Sequence, residues 1–124
     1  MKIEKILTST IVDTSSLIGY FSTDKESLIQ LITVYLSDTE PRVEILKNSE
    51  EALDYEAVRS ISHFLKSSIG LMGVGCLDEI AALEEKTQHR DAEEGIKKDL
   101  VFVNKVLQES VLEYKRISEE LEAL

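Results

Sequence analysis

From about Asp91 to Leu121 the chain places apolar residues at Ile96, Leu100, Val103, Leu107, Val111, Tyr114, Ile117 and Leu121. The three-to-four spacing holds throughout, the mark of one buried stripe on a single long amphipathic helix. Such a stripe has to be covered by partner helices. The remaining segments supply them. Asp54 can cap a helix carrying Val58, Ile61, Leu65, Ile69 and Met72, and Gly73 with Gly75 marks its end. A following helix takes Leu77, Ile80, Ala81 and Leu83, and the charged run Glu84 to Glu94 is expected to end it.

Before these, Thr23 or Asp24 can cap a helix with Leu28, Ile29, Leu31, Ile32, Tyr35 and Leu36 on its apolar side. Pro41 falls inside the same pattern as it runs on through Val43, Ile45 and Leu46. The helix therefore either stops before Pro41, with Asp38 or Thr39 capping a second one, or continues with a kink. One kinked helix from about Asp24 to Asn48 is the preferred reading. Asp13, Thr14, Ser15 and Ser16 offer caps for a short helix with Leu17, Ile18, Tyr20 and Phe21. The residues ahead of it read as an extended or frayed lead. No segment alternates with the two-residue period of a half-buried strand, and no Asn-Gly or Asp-Gly hairpin turn occurs. The expected fold is all-α: an up-and-down antiparallel four-helix bundle with a short extra N-terminal helix, one domain over residues 1–124 with its core at about 17–121.

With 124 residues, 43% hydrophobic and 31% charged, the chain can bury a core without disulfide or metal support. A formal charge of -10 argues against nucleic acid or an anionic membrane as partner, because both require a basic surface. No apolar window is long enough to span a bilayer, and the opening MKIEKILTST has no signal-peptide core. The lone Cys76 cannot form an internal disulfide. These features suit the cytoplasm, and the initial Met1 with no trailing linker suits a free-standing protein.

One histidine stands out by its phase. Setting His63 at zero on a helix of roughly 100° per residue, Val58, Ile61, Leu65, Ile69 and Met72 all lie within roughly 60° of the opposite side. His63 thus faces outward, among Glu56, Arg59, Ser60, Lys66, Ser67 and Gly70 at helical offsets. Phase alone leaves its role open between an ordinary surface histidine and a reactive one. A metal site lacks convergent ligands, since Arg59 and Ser67 occupy the positions one turn away. A hydrolytic pair of Ser67 with His63 would sit on a convex helix without an oxyanion hole. Gly70, Gly73 and Gly75 follow a helix and lack the Gly-Lys-Ser/Thr ending of a P-loop, so no ATP site is visible. His89, inside the charged run, reads as a solvated helix end.

The run His63-Phe64-Leu65-Lys66-Ser67-Ser68, followed by Met72-Gly73, Leu77 and Leu83-Glu84, resembles the histidine-containing phosphotransfer (HPt) domain of phosphorelays. That family's pattern is approximately His-x-Leu-Lys-Gly-Ser, with a Leu-Gly pair nine and ten residues after the histidine and a Leu-Glu pair in the next helix. Upstream, Tyr35 to Arg42 and Asp54 to Val58 are similar to its helix ending and helix beginning. Ser67 stands where glycine is usual, and Ile69 where a small residue is common.

The resemblance implies a phosphoryl carrier without its own ATP site, reversibly exchanging a phosphoryl group between His63 and an aspartate of a response-regulator receiver domain. A hybrid sensor histidine kinase is the other implied partner, and any Mg²⁺ would sit on the receiver. Lys66 would support the phosphoryl charge, and Ser67 would be the small position beside the histidine. Arg59, Ser60, Phe64 and Gly70 would meet the partner, with Ile32 or Leu36 as further rim residues. The rival reading is a helical receiver-binding or scaffold module that has lost phosphotransfer.

Overall fold

The computed structural model describes residues 2–21 and 24–124, and among them every regular element is a helix. In chain order these are α1 (Lys2–Leu7), α2 (Ser15–Phe21), α3 (Lys25–Asn48), α4 (Tyr55–Leu71), α5 (Leu77–Gln88) and α6 (Glu93–Glu122). The four long helices close a ring in which α4 packs most closely on α5 and α3 on α6, with α5 against α6 and α3 against α4 completing it. Short connections make sequential neighbours antiparallel.

The long stripe of α6 is the spine of the core. All eight of its predicted apolar residues are buried. Tyr114 contributes more than bulk: its ring meets Tyr35 of α3 edge to face at 5.4 Å, and its hydroxyl donates to the carbonyl of Met72 at the end of α4. The Tyr35 hydroxyl shares a 2.6 Å hydrogen bond with Ser110. Burial pushes the Tyr35 hydroxyl up to about 12 and raises that of Tyr114 as well, so both remain neutral in the core.

α3 runs unbroken through Pro41, which settles the alternative of two helices in favour of one. Asp24 is its cap, accepting from the Ser27 amide; Thr23, the other candidate, lies outside the described residues. Proline leaves the carbonyl one turn back, at Ser37, without an amide partner. On the next carbonyl, that of Asp38, the Arg42 guanidinium donates at 2.8 Å.

The N-terminal lead departs from expectation. Residues 2–7 are helical rather than extended or frayed, and Leu7 is fully buried with Val12 nearly so; two short helices, not one, precede α3. The apolar core therefore reaches ahead of residue 17. Ile3, Ile6 and Leu7 supply the driving force, and the Thr8-Ser9-Thr10 interruption follows the helix instead of preventing it. Ser9 turns the chain by accepting from the Ile11 and Val12 amides, and its hydroxyl donates to Glu113 of α6.

The lead then meets the end of α4. There Val74 N–H bonds the Ile69 carbonyl at 3.0 Å while Gly73, at φ +64°, takes the left-handed position of a helix C-terminus. The Asp13 amide donates to the Gly73 carbonyl at 2.9 Å, and a Cβ on Gly73 would lie 1.8 Å from the Asp13 carbonyl oxygen. Glycine is needed here twice over, for the dihedral angle and for the space.

The charged run also behaves differently from its reading. Glu84, Glu85 and Lys86 lie within α5, which continues to Gln88, and His89 is its exposed C-terminal cap residue. The helix is not ended by its charges, because Leu83 and Thr87 keep its inner face buried past Glu84.

Candidate functional site

α4 is fixed on both sides of the histidine by simple means. The Asp54 carboxylate accepts from the Ala57 amide at the N-terminus, and Val58, Ile61, Leu65 and Ile69 are buried along one face. That burial sets the helix rotation and leaves His63 on the opposite face, its side chain 71% exposed.

α5 supplies the residue that organises the site. One oxygen of Glu84 lies 2.6 Å from His63 Nδ1, and the other lies 2.5 Å from Lys66 Nζ. Glu84 is only 18% exposed while the groups it holds reach into solvent. The Lys66 hydrogen bond, and after it that of His63, holds the Glu84 carboxyl below the usual carboxylate range against the opposing effect of burial. Glu84 is thus ionised at neutral pH. A carboxylate only accepts, so Nδ1 is the donor in this bond, and in a neutral ring Nε2 would carry the lone pair. The arrangement presents an oriented, solvent-exposed imidazole with an ammonium group nearby.

The other sequence candidates separate into distinct roles. Ser60, Ser67 and Gly70 are exposed around His63. The Ser67 hydroxyl makes no hydrogen bond to His63 among the described residues, whose imidazole is turned to Glu84 instead. Arg59 faces along its own helix, pairing with Glu56 at 3.1 Å. Phe64 is 46% exposed and lies toward α3, where the Arg42 guanidinium stacks 3.9 Å above its ring. Of the two rim residues expected from α3, Ile32 is fully buried and is part of the core, and Leu36 is half-buried. Both lie on the helix's apolar side, whereas α3 meets the neighbourhood of the site through Arg42.

Two residues escaped sequence reasoning as participants. Glu84 was visible as the second member of a Leu-Glu pair, but its place in a charged run pointed to solvent. Its spacing of 21 residues from His63 spans a helix turn-around, which no single-helix phase argument bridges. Arg42 likewise lies on another helix, and the sequence offers it only as the last residue of the Tyr35 to Arg42 run.

No helix among the described residues is long and apolar enough to cross a membrane. Comparison with curated proteins and with solved structures gives no match. A family model described as the Hpt domain matches residues 30–124, which takes in the whole of α4, α5 and α6 and all of α3 except its first turn and a half. Hpt domains are the histidine phosphotransfer modules of phosphorelays, and this chain belongs to that family.

Proposed function

We propose that this protein is a phosphorelay intermediate in which Nε2 of His63 reversibly carries a phosphoryl group to or from the aspartate of a response-regulator receiver domain. The observation that carries the reading is the 2.6 Å contact of His63 Nδ1 with Glu84, which occupies that nitrogen and makes Nε2 of the exposed ring the nitrogen available to a partner. In the forward step the Nε2 lone pair attacks the phosphorus of the aspartyl phosphate. The N–P bond forms as the P–O bond to the aspartate breaks, and the carboxylate departs with the electron pair. Nδ1 keeps its proton, so the imidazole ring acquires positive charge, and the adjacent Glu84 carboxylate stabilises it. The reverse step returns the phosphoryl group to an aspartate, and the ring leaves as neutral imidazole.

Lys66 has three donors and spends one on Glu84. The others can neutralise the phosphoryl oxygens, the usual main requirement of such transfers. Ser67, without a hydrogen bond to His63, serves as a small neighbour that keeps the approach open. Ser60, Phe64 and Gly70 surround that approach, and Arg59 flanks it. The Mg²⁺ belongs to the receiver, and a hybrid sensor kinase would be the source or sink at the other end. The protein acts in the cytoplasm as a carrier without an ATP site of its own.

The test is incubation with receiver domains phosphorylated by a radiolabelled small-molecule phosphodonor in the presence of Mg²⁺. Label should move to this protein in an acid-labile, alkali-stable form and vanish in His63→Gln. Transfer unaffected by that substitution, or no transfer from any receiver of the same cell, would reject the reading. A receiver that binds His63→Ala as well as the unsubstituted chain, with no labelling of either, would support the scaffold alternative instead.

A further inference from the structure

Three cations border the outward face of α4, and they are not equivalent. Lys66 is held by Glu84 and Arg59 by Glu56, but Arg42 has no carboxylate within ion-pair distance among the described residues. Its guanidinium carbon lies over the Phe64 ring, 3.9 Å from the centroid, and one N–H is spent on the Asp38 carbonyl. A guanidinium has five donors. Those remaining make no hydrogen bond among the described residues, and the group rests on the residue next to His63. In a chain with a formal charge of -10, this is an uncompensated positive spot with its side-chain entropy already reduced by the stack.

Resting on the phosphotransfer reading, we propose that Arg42, supported by Phe64, determines which receiver domain docks. The favoured partner places a carboxylate against the guanidinium edge and apolar surface against the exposed part of the Phe64 ring. The chemistry of the partner suits this. A surface that binds Mg²⁺ around a phosphorylatable aspartate does so through carboxylates. An acidic residue beyond that cluster would add a charge-assisted, geometrically selective contact. Receivers with a neutral or basic residue there would lose the contact and leave the guanidinium desolvated without a partner, so discrimination would work in both directions.

Initial rates of transfer would be measured from a panel of phosphorylated, Mg²⁺-loaded receiver domains to the full chain and to Arg42→Met, Arg42→Glu and Phe64→Leu. Circular dichroism would verify that each variant retains the helix content. For the fastest receiver, Arg42→Met should raise KM about tenfold, the weight of one good charge-assisted contact. The maximal rate should remain unchanged, and the dependence of KM on salt should weaken. Slower receivers should change little, which compresses the spread across the panel. Phe64→Leu should raise KM in the same receivers by a smaller factor. Arg42→Glu should be rescued by replacing the opposing receiver carboxylate with lysine, an outcome no merely structural role would give.

If all receivers slow by the same factor, or if the maximal rate falls while KM and its salt dependence stay fixed, Arg42 is not the determinant. Transfer that is intact and His63-dependent under those results would leave the phosphotransfer reading standing. Absence of transfer to the unsubstituted chain would overturn both.

Discussion

Gly73 offers the sharpest quantitative test of how the N-terminal segment is attached. In Gly73→Ala the residue would have to hold φ near +64°, which costs a side chain about 1–2 kcal/mol. The added methyl would also lie 1.8 Å from the Asp13 carbonyl oxygen, and backbone cannot yield as a flexible side chain would. The segment must therefore lift away, losing the 2.9 Å bond from Asp13 to Gly73, worth about 1 kcal/mol, and exposing Val12, worth about 1.5 kcal/mol. The expected loss is about 4 kcal/mol, a large share of the roughly 5–15 kcal/mol typical of a domain.

Urea unfolding followed by circular dichroism measures it. Two companions separate the causes. Gly73→Asn tolerates the left-handed dihedral angle but not the crowding, so it should still cost about 2.5 kcal/mol. Gly75→Ala, with nothing within 4 Å of its would-be Cβ and no positive φ, should cost well under 1 kcal/mol. A Gly73→Asn variant close to the unsubstituted stability would refute the close approach of Asp13 and with it the clasp.

Glu84→Gln should slow transfer to His63 about tenfold or more, because an amide can accept from Nδ1 but brings no charge to offset the cationic ring. Single-turnover rates with one receiver decide it, and an unchanged rate would remove Glu84 from the mechanism. Cys76 is fully buried, and burial pushes its thiol up to about 12, so it should react with a thiol reagent only as fast as the protein unfolds; rapid labelling of the native protein would contradict its placement. Stability should also fall with acid in a predictable window. Arg116 holds the Glu113 carboxyl, and Lys66 that of Glu84, below the ordinary glutamate value. The stabilisation from both is therefore complete above that ordinary value and lost as pH drops from it through the depressed folded values. The double substitution Glu84→Gln, Glu113→Gln should flatten the acid limb of a plot of unfolding free energy against pH; a limb of unchanged slope would refute the assignment.

The long helices were legible because each carries a periodic stripe. The α6 series from Ile96 to Leu121 and the five apolar residues behind His63 are buried as the spacing requires. What the sequence could not show is contact between helices that owe nothing to a shared period. Glu84 reaches His63 and Lys66 from α5, and Arg42 reaches Phe64 from α3, through packing that depends on the rotation of two helices at once. In residues 2–7 the apolar pattern is cut short by Thr8, Ser9 and Thr10, and six residues are too few for a helix by themselves, so the sequence points to an extended or frayed lead. Their helix exists through burial of Leu7 against the bundle, a tertiary effect. Ile32 is core and not rim, because it shares the buried face of α3 with Leu28 and Tyr35.

The exposure of His63 has a consequence for what this chain can achieve alone. An imidazole standing out from a helix has no wall with which to exclude water or to enclose the oxygens of a transferring group. Glu84 and Lys66 lie on one side of the ring, whose side chain is otherwise largely exposed. On the phosphotransfer reading proposed above, the residue would be half of an active site, its other half a surface that arrives and departs. On the proposed reading, the time a phosphoryl group survives on Nε2 between encounters would be governed by water as much as by protein, so the concentration of partners, rather than any feature of the bundle, would set how faithfully the signal is passed on.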